Sequence, residues 1–179
     1  MSKPSRRSVL GALGALCAGC GSSKPADAPT APAARGPVLE YDFASLDERP
    51  VSRQGLQGRA TIVAFLSSFG DASLLEARYV KKVFREHSPR INAAAVFLEP
   101  IDNRPLVRVF RDAADLPFPA AMGDQAAITG QSAFVGIDTV PSVVILDAAG
   151  REVWRKVGLT SPEELQKALR EAQREVWGP

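Results

Sequence analysis

Between Ala60 and Ser68 the chain reads ATIVAFLSS, a continuous apolar run containing Ile62, Val63 and Phe65 and no charge. A strand that is apolar at successive positions has no face to offer water, so it belongs in the middle of a sheet covered on both sides. The period then changes. From Ala72 onward, Ala77, Val80, Val83 and Phe84 recur at the spacing of one helical stripe. This helix should stop before Pro89, because the residue preceding a proline avoids helical angles. INAAAVFLE follows and repeats the buried-strand pattern. Strand, helix and buried strand in succession form a βαβ unit.

The remaining segments fit around that unit. VLEYDFASLD alternates Leu39, Tyr41 and Phe43 with polar neighbours, as a half-buried strand does. Pro50, Gly55 and Gly58 mark turns after it. RPLVRVFRDAAD reads as a helix with Leu106, Val109, Phe110 and Ala113 on one side, PFPAAMGD as a loop, and DQAAITGQSAF as a short helix. PSVVILD and REVWRKVG, separated by Ala148-Ala149-Gly150, read as a β-hairpin. The last segment, SPEELQKALREAQREVW, is a helix with Ser161 as N-cap, Pro162 in the first turn, and Glu163 and Glu164 at the positive end of its dipole. A βαβ unit joined to a ββα unit predicts an α/β fold with a mixed central β-sheet and helices on both faces.

Residues 1–20 read as an export address. MSKPSRRSVL carries Lys3, Arg6 and Arg7 without an acid, and VLGALGALCAG is a short apolar run. A membrane-spanning helix needs about 20 apolar residues, so this run reads as a signal peptide. The Arg6-Arg7 pair resembles a twin-arginine export signal. Ala18-Gly19-Cys20 resembles the end of a lipobox, with Cys17 where leucine is usual and Cys20 as the residue to be lipidated. Residues 21–37, GSSKPADAPTAPAARGP, lack apolar periodicity and read as a flexible Ser/Pro/Ala tether. Residues 38–179 suit one domain.

The formal charge is +2, and removing Lys3, Arg6 and Arg7 with the signal leaves −1, so no basic surface for nucleic acid is expected. Both cysteines, Cys17 and Cys20, lie in the signal. A mature chain lipidated at Cys20 therefore has no free thiol.

From about Val38 onward the chain resembles the membrane-tethered thioredoxin-like redoxins of the TlpA/ResA type. Gly55-Leu56-Gln57-Gly58-Arg59 stands before the central strand, where that family has a similar Leu-x-Gly-Lys. FLSSFGDASLLE matches the family's F-x-x-x-W-C-x-P-C-x-x-E, with Phe69 at the tryptophan position and Glu76 at the acidic one. Thr139-Val140-Pro141-Ser142 matches the cis-proline motif, and Gly158 and the last helix follow in order. The resemblance implies a thioredoxin-like fold. It also implies thiol–disulfide exchange, which this chain cannot perform alone. Gly70 and Ser73 occupy the two cysteine positions, and Ala72 replaces the proline between them. Exchange needs a thiolate at the helix N-terminus and a second thiol to resolve the mixed disulfide. Glycine and serine supply neither.

Other chemistries find little support. A nucleophilic Ser73 needs a base within hydrogen-bond reach. The sole histidine, His87, is fourteen residues along the same helix, about 21 Å away. Asp112 with Asp115, and Asp138 with Asp147, do not have the spacing of a calcium loop. Trp154, Trp177, Phe97 and Phe110 read as core or terminal residues. No metal or cofactor is called for. A thiol-independent feature remains, since in the resembled family the residue before the cis-proline offers its backbone to an extended polypeptide, a form of strand addition. Here Val140 and Pro141 would be that ledge, with Phe69 and Ala72 beside it. The expectation is a redox-inactive, lipid-anchored protein of the cell envelope, facing the periplasm or extracytoplasmic space and binding an envelope protein or unfolded polypeptide. The alternative is an oxidoreductase relying on a partner's cysteines.

Overall fold

A computed structural model describes residues 36–174. The expected signal peptide, most of the tether and Trp177 lie outside the described residues. The order is β1 (Asp42–Ser45), β2 (Val51–Ser52), α1 (Arg53–Leu56), β3 (Thr61–Leu66), α2 (Asp71–His87), β4 (Asn92–Phe97), a 3-10 turn (Ile101–Asn103), α3 (Arg104–Ala114), β5 (Ala120–Met122), α4 (Gln125–Ile128), β6 (Ser142–Leu146), β7 (Glu152–Val157) and α5 (Pro162–Arg174). The strands form one seven-stranded sheet ordered β2-β1-β5-β4-β3-β6-β7. β3, β4 and β5 are parallel; β1, β6 and β7 run antiparallel to their neighbours. No helix among the described residues is long and apolar enough to cross a membrane.

The run at Thr61–Leu66 is wholly buried, as its composition requires. Its side chains alternate between two cores. Ile62, Ala64 and Leu66 meet the long helices, through Ala77, Val80 and Val83 of α2, Val107 of α3, and Leu165 and Leu169 of α5. Val63 and Phe65 face the other way, toward Leu56, Ala127, Phe134 and Ile137. Helices therefore cover both faces, but unequally: α2, α3 and α5 share one, and only the short α1 and α4 reach the other. An aromatic cluster completes that thinner layer. The Phe134 ring lies 5.1 Å from Tyr41, 6.2 Å from Phe43 and 5.0 Å from Phe65.

Two expectations fail locally. PFPAAMGD is not all loop, because Ala120–Met122 pairs with both β4 and β1. Three residues between Pro119 and Gly123 are too few to show a period, and the pairing comes from distant chain. The face assigned to α3 is also displaced. Leu106, Val109 and Ala113 point outward, while Val107 and Ala114 are buried. Phe110 belongs to both possible stripes, and its edge-on contact with Phe97, 5.4 Å between ring centres, decides between them. Around Gly55 the chain forms the single turn α1, capped by Ser52 Oγ accepting from Gly55 N at 3.2 Å. At α5, Ser161 Oγ accepts from Glu164 N and Glu164 Oε2 accepts from Ser161 N, a reciprocal capping box.

Candidate functional site

The C-terminal end of β3 opens into the loop Ser67–Gly70, and α2 begins at Asp71. Phe65 pairs with Ser142 across the β3–β6 ladder. One residue further on, Pro141 comes beside Leu66, so the Phe69 loop and the Val140–Pro141 loop share one end of the sheet. The Val140–Pro141 peptide is cis. Pro141 is buried, and its carbonyl accepts from Gly158 N at 2.8 Å. Val140 is half-buried, and among the described residues neither its N–H nor its carbonyl has a hydrogen-bond partner. Phe69 projects with 58% of its surface exposed, and Ala72 is exposed in the first turn of α2.

Two further apolar side chains stand exposed around this end, Val157 and Leu159, and the sequence patterns singled out neither these nor the exposed Val135. Val157 pairs with Ser142 on the far side of β6. Leu159 immediately precedes Thr160, which is bonded to α2 through Glu76. A strand position followed by a loop carries no sequence signal of which neighbour it will meet.

The two positions that the resemblance sets against cysteines differ in kind. Ser73 is buried, and its Oγ accepts from Ser67 N at 3.0 Å, fastening the loop to the helix start. It is thus a structural bond, and His87 lies at the other end of α2. Gly70 is the N-cap, with φ +94 and ψ 142 and no side-chain cap. A Cβ built there meets nothing within 4 Å, so space is available. Backbone strain is the obstacle, because this region is essentially confined to glycine and costs other residues on the order of 1–3 kcal/mol. The loop has taken a conformation that a cysteine would resist.

Two buried acids frame the site. Glu99, just past β4, receives bonds from Ser67 Oγ (3.1 Å), Ser68 Oγ (2.9 Å), Asn103 Nδ2 (3.0 Å) and Ser68 N. It sets the path of the Phe69 loop. Its signal in the sequence was an acid ending the run INAAAVFLE, a place where a lone acid rarely goes without partners. Glu76, fully buried on α2, accepts from both Thr160 N and Thr160 Oγ1. Burial pushes its carboxyl above the usual range, while the bonds from Thr160 pull the other way. A folded-state pKa above the unfolded one contributes stability that is present below the unfolded value, about 4.3, and is lost as pH rises through the folded value. The stability of the wild type minus that of Glu76→Gln, by urea unfolding, should therefore fall as pH rises from acid toward neutral. Asp115, held low by Lys81, titrates in the opposite sense but is not coupled to Glu76 and cancels in this difference, whereas the Glu164 charge acts on Glu76 directly and is part of it. A flat difference would remove Glu76 from the account.

Other acids have ordinary roles. Asp115 pairs with Lys81 and Arg85, Asp112 with Arg111, and Asp138 Oδ1 accepts from Thr139. Asp147 Oδ1 accepts from Ala149 N and Arg151 N in the hairpin turn. Among the described residues no three His, Cys, Asp or Glu side chains come together.

Comparison with known proteins gives the fold a relative in structure but none in sequence. No family model matches the chain, and no curated protein does either. Among solved structures, a DsbF homologue from Corynebacterium diphtheriae superposes with a TM-score of 0.67 at 14% identity, over 76% of this chain and 87% of that one. A thiol:disulfide interchange protein of the thioredoxin family from Chlorobium tepidum TLS gives 0.64 at 23% identity, over 79% and 99%. StoA from Bacillus subtilis gives 0.58 at 20% identity, over 74% and 98%. At these identities the likeness establishes the architecture alone: the domain has the thioredoxin-like fold.

Proposed function

We propose that this chain is an envelope-anchored thioredoxin-like lipoprotein, inactive in thiol exchange, that binds a protein partner or extended polypeptide at the Val140–Pro141 loop. The observation that carries this reading is the pairing of an exposed Phe69 with a Val140 backbone left open at the same end of the sheet. Open backbone groups give a docking chain its hydrogen bonds, and flanking apolar side chains give it selectivity. Val157 and Leu159 extend the apolar rim. Likeness to the C. diphtheriae and B. subtilis proteins supports a thioredoxin-like domain, and the export signal read in residues 1–20 supports an extracytoplasmic place for it. The absence of cysteine after Cys20 supports redox silence.

Two measurements test this. A photoreactive phenylalanine at position 69, in the full chain in its own cells, should yield a polypeptide adduct that the same group at Arg90 does not. Equal labelling from both positions sinks the binding site. Intact mass of the envelope-purified protein should show an acylated Cys20 as first residue and no uptake of a thiol-alkylating reagent. An unacylated chain that takes up the reagent reopens redox chemistry. The alternative, an oxidoreductase served by a partner's cysteines, requires the captured partner to carry paired cysteines whose oxidation state changes when this chain is added.

A further inference from the structure

One face of α3 is left over by everything above. Leu106 and Val109 are 49% and 67% exposed, and Ile101, in the turn before α3, is 56% exposed. Arg108 on α3 and Arg78 on α2, the helix that packs against α3, are also exposed, and among the described residues neither makes an ion pair or a side-chain hydrogen bond. The acids of this segment are Asp102 and Asp112, and Arg111 bonds Asp112 at 2.7 Å. The apolar side chains stand on the outside of a helix, whereas the larger clefts lie elsewhere, such as one of about 330 Å³ lined by Tyr41, Ser52 and Arg53.

The headgroup boundary of a bilayer adapts to separate apolar side chains flanked by cations. Chain length points the same way. Only fifteen residues lie between Cys20 and Gly36, a reach of at most about 55 Å fully extended, so acylation at Cys20 would hold the domain within that distance of lipid. We infer that the α3 face docks on an anionic bilayer surface, with Ile101, Leu106 and Val109 entering the headgroup boundary and Arg78 and Arg108 meeting lipid phosphates. The reach argument rests on the lipid anchor proposed above; the surface itself does not.

The test uses the mature chain from residue 20 carrying Cys20→Ser, so that neither the signal nor an acyl group contributes. It should float with vesicles of phosphatidylcholine and phosphatidylglycerol in equal parts, less so at high salt, and not with phosphatidylcholine alone. Leu106→Glu with Val109→Glu should lower this partition at least ~tenfold, since both the apolar and the electrostatic contributions are lost. Arg90→Glu, which changes net charge by the same two units at the other end of the sheet, should leave it near the parent value. Circular dichroism checks that each variant is folded. Equal flotation of the double variant, no flotation of the parent, or a protein rather than lipid adduct from a photoreactive group at position 109 each overturn the inference. Failure of acylation would show only in the intact mass, and so stays separate.

Discussion

Phe134→Ala should lower the free energy of unfolding by about 3–5 kcal/mol, measured by urea denaturation. The side chain is fully buried. It lies in an irregular segment rather than in a helix or strand, and its ring meets Tyr41, Phe43 and Phe65 at once. Such aromatic pairs add about 0.5–1.5 kcal/mol each beyond area burial. The layer it anchors holds only the short α1 and α4, so no long helix stands ready to fill the space. The segment also leads into Val140–Pro141, and amide exchange between Ser132 and Val140 should quicken in the variant. A loss below about 1.5 kcal/mol would mean that the segment collapses into the space and that Phe134 is not its anchor.

The second large effect is expected at Glu99. Glu99→Ala should cost about 2–4 kcal/mol, because it strands several donors that the buried carboxyl now satisfies. The main loss is at Ser68 N, which has no other acceptor among the described residues. Glu99→Gln keeps an acceptor oxygen and should cost markedly less. Beyond stability, the alanine variant should release the Phe69 loop, so the photoadduct from position 69 should weaken even where the fold persists. An alanine variant as stable as the glutamine one would show that water replaces the carboxyl without loss.

What could be read from the sequence follows a physical divide. Burial on both faces of β3 and β4, the period of α2, its stop before Pro89 and the hairpin β6–β7 are properties of contiguous residues, and all were legible. β5 was not, because three residues carry no period and their pairing is supplied by β1 and β4. The face of α3 was misread because Phe110 serves two apolar stripes equally well, and only contact with Phe97 breaks the tie. Phe69, Gly70, Ala72, Ser73, Val140 and Pro141 were singled out through motif order, and the structure shows that their two loops share one end of the sheet; a binding role for them is a proposal. Glu99 as organiser of the Phe69 loop was missed, as were Val157 and Leu159, since their importance comes from neighbours distant in the chain. Gly70 was read as a missing thiol. Its backbone conformation could not be read from the residue name.

That conformation has a consequence for anyone who would engineer a thiol pair into this loop. With φ at +94, a cysteine placed at position 70 would start with a penalty on the order of 1–3 kcal/mol. A second thiol at position 73 would in addition remove the Ser73 Oγ that accepts from Ser67 N. Two substitutions are therefore not enough. The backbone of the Gly70 turn has to be rebuilt before a cysteine pair can sit there without strain.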